Sequence, residues 1–334
     1  MRRIASVFVL LVFMCSGAFF SHAQSRISVS GNAFVDEEGK TVIFRGFSSS
    51  DPHKLDNDGL WNKRYFRELK KWGVNIVRFP VHPPNWRLRG EEEYLKLLDN
   101  GIKWAKSQGM YVIMDWHSIG NLHTARFQND IYVTSIEETH AFWKTIAIRY
   151  GENKTVAFYE LFNEPTTYNG TLGEVTWERW SEMNMAMIKT VRENGGEGVP
   201  LIAGFNWAYD LTAAGKQPVP AENIAYVSHP YPQKESKPWG SKWTKSWGFL
   251  KEKYPLILTE IGFSEADEPG AHVPVISDES YGESIIEYCE QRGISFVVWV
   301  FDKDWSPRMY KDDKFTPSKQ GGYFKKRLQE LSRS

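Results

Sequence analysis

"FYELFNEP", Phe158 to Pro165, decides how the rest of the chain is read. An apolar run leads directly to Asn163 and Glu164 and is then stopped by Pro165, which has no N–H to continue a ladder. The run is part of "VAFYELFN", and seven stretches of the same kind are spaced along the chain: "VIFRGFS", "NIVRFPV", "YVIMDWH", "PLIAGF", "IAYVSHPY", "LILTEIGF" and "ISFVVWVF". Each is short and almost continuously apolar, the pattern of a strand covered on both faces. Between them Tyr94, Leu98, Ile102 and Ala105, and later Trp180, Met183, Met187 and Val191, recur at spacings that give a helix one apolar face. Eight such strands alternating with helices predict an α/β fold, a closed (β/α)8 TIM barrel. The open doubly wound sheet is the competing architecture, but no glycine-rich phosphate fingerprint follows the first strand. A short β-hairpin is expected ahead of the barrel in "ISVSGNAFVDEEGKTVIF", turning at Glu38-Gly39.

Composition narrows the partners. Lysine plus arginine equals aspartate plus glutamate at 41 each in 334 residues, so no basic excess points to nucleic acid. Aromatic residues make up 15% of the chain, with 14 tryptophans, which suggests flat faces offered to a ligand. The first residues, "MRRIASVFVLLVFMCSGAFFSHAQ", read as a secretory signal peptide over 1–23 with cleavage after Ala23. The remaining 24–334 form one domain, exported to the periplasm or the medium and free of the membrane once the signal is cleaved. Its one cysteine is then Cys289, which excludes an intramolecular disulfide. The end of the chain, "KKRLQELSRS", is expected to belong to a closing helix, with no separate carbohydrate-binding module. A monomer is the default expectation, and nothing in the pattern calls for a cofactor or a metal.

In a barrel the reactive side chains sit at the C-terminal ends of the strands. Those ends carry Arg78, His117, Asn163 with Glu164, His229 with Tyr231, Glu260 and Trp299. A phosphate loop, zinc ligands at binding spacing and a Gly-x-Ser-x-Gly nucleophile elbow are all missing from the sequence. Two glutamates on one rim surrounded by aromatics fit glycoside hydrolysis, which needs a proton donor and an ionised carboxylate on either side of the anomeric carbon.

Taken together, "VRFP", "DWH", "LFNEP", "SHPYP", "LTEIGF" and "WVFD" resemble glycoside hydrolase family 5 over almost the whole mature chain, and most of all its bacterial endo-β-1,4-glucanases. The resemblance implies a retaining mechanism with Glu164 as acid/base and Glu260 as nucleophile. It further implies Arg78 and Tyr231 against the nucleophile, Asn163 on the sugar 2-hydroxyl, His117 on the same sugar, His229 beside the acid/base and Trp299 beneath the reacting ring. A β-1,4-linked polysaccharide such as cellulose or β-glucan is the implied substrate. Mannan and xyloglucan remain alternatives with the same catalytic pair, as do transglycosylation and, in another class, a non-catalytic glycan-binding protein. The loops 118–135 and 232–242 are expected to wall the cleft, with Trp207, Trp239 and Trp305 as candidate sugar platforms.

Overall fold

The computed structural model describes residues 24–333. The signal peptide expected over 1–23 lies outside them. In chain order the strands are β1 (Ser28–Ser30), β2 (Ala33–Val35), β3 (Arg45–Ser49), β4 (Ile76–Val81), β5 (Tyr111–Trp116), β6 (Ile119–Asn121) and β7 (Arg126–Phe127). They continue as β8 (Val156–Glu160), β9 (Glu164–Pro165), β10 (Val199–Ala203), β11 (Ala225–Val227), β12 (Leu256–Ile261) and β13 (Ser295–Phe301). Eight of them close a barrel in the order β3-β4-β5-β8-β10-β11-β12-β13, and every pairing in it is parallel. The eight apolar runs are these eight strands.

Helices connect the strands and cover the barrel, and their limits follow from local chemistry. Helix Glu91–Ser107 buries Tyr94, Leu98, Ile102 and Ala105, and helix Trp177–Glu193 buries Trp180, Met183, Met187 and Val191. Helix Glu279–Arg292 starts where the Asp278 side chain accepts from Ser280 N and ends at Gly293 in the left-handed region. The chain closes with helix Lys319–Leu331, as its sequence predicts. Gly46 in β3 is required by close approach: a Cβ there would meet the Ile76 carbonyl oxygen at 2.3 Å.

The N-terminal hairpin is present, but it turns elsewhere. β1 and β2 pair antiparallel across Gly31 and Asn32, with Ser30 opposite Ala33. The Glu38-Gly39 turn closes only a single bridge between Val35 and Thr41, because Asp36 Oδ1 accepts from Glu38 N and Lys40 N and holds a compact local loop instead of extending a ladder. Both turns carried a glycine signal, and the two-residue one formed the hairpin. Phe34 of β2 packs edge-on against Phe158 at 4.9 Å and Phe44 at 5.8 Å, so the hairpin plugs the N-terminal end of the barrel.

Period two sorts the barrel interior into layers. Ile76, Ile113, Phe158, Ile257 and Val297 form an apolar cluster inside it. Two residues further along the same strands stand Arg78, Asp115, Glu160, Thr259 and Trp299. The interior thus changes from apolar to ionic within one layer, at the end where a site is expected. Among the described residues no helix is long and apolar enough to cross a membrane, and Cys289 is buried with a free thiol.

Candidate active site

The polar layer is an ordered ion-pair network beneath a cleft of about 900 Å³. Arg78, fully buried, is its hub. Its Nε donates to Glu160 Oε2 at 2.6 Å, Nη1 to Glu260 Oε1 at 2.9 Å, and Nη2 to Asn163 Oδ1 at 2.6 Å. Nη2 also lies 2.9 Å from Asp115 Oδ2. Burial alone would depress the guanidinium, but Asp115, Glu160 and Glu260 outweigh it and hold Arg78 more firmly protonated than usual. A buried charge demands this degree of pairing.

Glu260 is held from two sides. Arg78 takes Oε1 and the Tyr231 hydroxyl donates to Oε2 at 2.8 Å. Burial, and then the Glu260 charge, raises the Tyr231 phenol well above its ordinary value, so it stays a donor. The register of β12 against β13 shifts between Leu258 and Ile261, across Thr259 and Glu260. A bulge of this kind lets consecutive side chains serve one site, and both do.

Glu164 faces Glu260. Its backbone stays paired: Glu164 N donates to Ser118 O, and Asn163 N to Trp116 O. His229 Nδ1 lies 2.8 Å from Glu164 Oε1 and 3.9 Å from Glu260 Oε2, while its Nε2 lies 2.8 Å from Thr259 Oγ1. Thr259 Oγ1 in turn donates to Glu160 Oε1 at 2.7 Å. Burial disfavours a charged imidazole, yet the surrounding glutamates, Glu260 first, push His229 up to about 9. Both ring nitrogens therefore donate at neutral pH. One oxygen each of Glu164 and Glu260 and a nitrogen of His229 lie within 4.8 Å of one another. Burial pushes the Glu260 carboxyl upward, with Glu164 adding to it and His229 and Arg78 pulling it back.

His117 is neutral. Burial, with His82, Arg78 and His229 nearby, holds it well below its usual value, and its Nδ1 sits 2.7 Å from Asp115 Oδ2. The ring stacks on Trp299 at 5.2 Å and 2°, and Trp305 lies beside Trp299 at 5.9 Å. Asn163 Nδ2 is buried without a partner, and the residue borders the cleft. Because Arg78 fixes the amide oxygen, that N–H2 is a donor left for a ligand.

All eight residues expected at the strand ends come together here. Arg78 and His229 lie beneath the cleft and the other six line it. Trp207 lines it too, its Nε1 donating to Gln128 Oε1 at 2.7 Å and the Lys234 ammonium 4.5 Å from its ring. Trp305 is also at the cleft, but Trp239 is not. It is 6% exposed, stacks on Trp243 at 5.8 Å, and its N–H is spent on the Pro232 carbonyl, so its loop position conceals a core residue. The loop 118–135 supplies Ile119, Gln128, Ile131 and Tyr132, and 232–242 supplies Gln233 and Lys234. A further wall, from Gly270 to Val275, follows β12 and was not expected. Asp115, Glu160 and Thr259 were also missed, although each is a polar residue placed at period two inside an apolar run, where only a paired group can be tolerated.

A β-glucanase from Saccharophagus degradans, crystallised in complex with cellotetraose, is 46% identical, with a TM-score of 0.91 over 92% of this chain and 94% of that one. Endoglucanase A of Butyrivibrio fibrisolvens is 25% identical over 301 residues, which are 86% of this chain and 63% of that protein. Endoglucanase 5 of Pectobacterium carotovorum subsp. carotovorum is 24% identical over 86% of this chain and 53% of its own length. The chain therefore spans less than two thirds of these two relatives. The family model for cellulase, glycosyl hydrolase family 5, matches residues 35–304, and the chain belongs to that family.

Proposed function

We propose that the chain is a secreted, retaining endo-β-1,4-glucanase in which Glu260 is the nucleophile and Glu164 the acid/base. The observation that carries this reading is the approach of the two carboxylates, oxygens within 4.8 Å, at the floor of an open cleft. Retaining enzymes hold the pair about 5–5.5 Å apart, too close for an intervening water, whereas inverting ones need about 6.5–9.5 Å.

In the first step Glu260 attacks the anomeric carbon while the glycosidic C–O bond breaks and Glu164 gives its proton to the leaving oxygen. Arg78 and Tyr231 keep Glu260 ionised and aimed, and Glu164 Oε2, which makes no hydrogen bond to the described residues, is left to reach the leaving group. In the second step Glu164 takes a proton from water, the water attacks the same carbon, and Glu260 departs. His229 serves both steps, since its charge stands beside a single glutamate anion that resides on Glu260 in the free enzyme and on Glu164 once Glu260 is esterified. The free Asn163 Nδ2 meets the sugar 2-hydroxyl, a contact that strengthens toward the oxocarbenium-like transition state. Trp299 lies under the reacting ring. A glucan substrate is supported by the cellotetraose complex of the 46% identical β-glucanase and by the aromatic cleft.

The test is reducing-sugar release on carboxymethyl cellulose, barley β-glucan, xyloglucan and mannan in parallel, with Glu260→Ala as the blank. Release from the first two with little from mannan agrees with the proposal. A mannan preference keeps the mechanism and overturns the substrate, and silence on all four overturns the activity.

A further inference from the structure

His82, which follows β4, is used by nothing described so far, yet it borders the cleft and is 4% exposed. Its Nδ1 lies 2.9 Å from Asp51 Oδ2, and its backbone N–H donates to the same oxygen at 3.0 Å. Asp51 is fully buried and also accepts from Asn85 Nδ2 at 3.0 Å, Tyr94 OH at 2.6 Å and His53 N at 2.7 Å. Five donors on one carboxylate make it an acceptor only, so the His82 proton facing it must be on Nδ1. Nε2 then carries the lone pair. It has no hydrogen-bond partner among the described residues and is not sealed from the cleft.

The surroundings of the ring suit a sugar. It sits 4.5 Å from His117, 5.9 Å from Tyr132 and 5.4 Å from Trp305, the tryptophan beside Trp299. The acid that protonates a leaving oxygen must stand on the leaving-group side, and Tyr168, four residues after Glu164, meets the Trp207 ring edge-on at 5.3 Å. The leaving portion of the chain therefore runs toward Trp207, and the retained portion toward Trp305 and His82.

We propose that His82, oriented by Asp51, is a substrate-binding residue: its Nε2 accepts a hydrogen bond from a hydroxyl of the glucosyl unit next to the cleaved one, on the retained side. Asp51 is its positioning residue. This rests on the β-1,4-glucan reading above.

The test uses a Glu164→Gln background to measure cellotetraose affinity by calorimetry, with and without His82→Phe. Phenylalanine keeps the ring against Tyr132 and Trp305 and removes the acceptor, while Asp51 retains its other donors. About a tenfold loss of affinity is expected, the value of one good hydrogen bond. In the otherwise intact enzyme, His82→Phe should also raise the share of end-labelled cellotetraose cut after its first non-reducing unit, a readout that loose packing does not mimic. Cellotetraose binding that His82→Phe leaves unchanged, with an unchanged cleavage pattern, overturns this inference alone. No binding by Glu164→Gln itself overturns the glucan reading and this inference together.

Discussion

Arg78 Nη1 donates to Glu260 Oε1 across 2.9 Å at the floor of the cleft, and this bond ties the fully buried barrel core to the proposed nucleophile. The same guanidinium fixes Glu160 and Asn163, so its planar fork matters as much as its charge.

Arg78→Lys keeps the charge and loses the fork. Its kcat/KM on β-glucan is expected to fall by a factor of about 100 or more, because the nucleophile and the Asn163 amide lose their common anchor. Arg78→Ala should cost about 3–5 kcal/mol in stability as well, the consequence of leaving buried carboxylates unpaired. Chemical denaturation beside steady-state kinetics checks both.

Two tryptophans that look alike in the sequence should respond in opposite ways. Trp207→Ala, at the cleft, is expected to raise KM about tenfold on cello-oligosaccharides and to shift stability by less than about 1 kcal/mol. Trp239→Ala opens a void against Trp243 and Tyr281 and is expected to cost about 3–5 kcal/mol. Thermal unfolding and kinetics on the pair separate a sugar platform from a core residue.

His229 predicts how stability varies with pH. Its folded value, raised to about 9, lies above its ordinary 6.5, so the folded state binds more protons than the unfolded one between these limits. The resulting stabilisation is complete below about pH 6.5 and is lost as pH rises through about 9, with an upper bound on the order of 3 kcal/mol. Unfolding free energies across this window should fall for the parent protein and stay flatter for His229→Gln. A parallel slope in the two would remove His229 as the source.

How far the site could be read from sequence follows from where each residue sits. Barrel strands are buried on both faces, so their apolar runs stand out, and the polar residues that end them mark the rim: hence His117, Glu164 and Glu260, while Arg78 stands out as a lone cation within its run. Asp115 and Glu160 lie inside the runs, and they become visible only when period two is laid over the strand, one layer above Ile113 and Phe158. His82 is named by no strand end, because its role depends on Asp51, 31 residues away in sequence. Trp239 failed for the opposite reason. A loop address says nothing about which way an indole points, and stacking on Trp243 settled it. The hairpin turn was misplaced because two glycine turns competed, and Asp36 captured the second.

The central claim, a carboxylate pair spaced for double displacement, is tested most directly by following the anomeric configuration of the newly formed reducing end by proton NMR in the first minutes of cellotetraose hydrolysis, before mutarotation. With one oxygen of Glu164 within 4.8 Å of one of Glu260, the β-anomer is expected to accumulate first. Initial release of the α-anomer would mean that a water fits between the two carboxylates during turnover, and would contradict the mechanism.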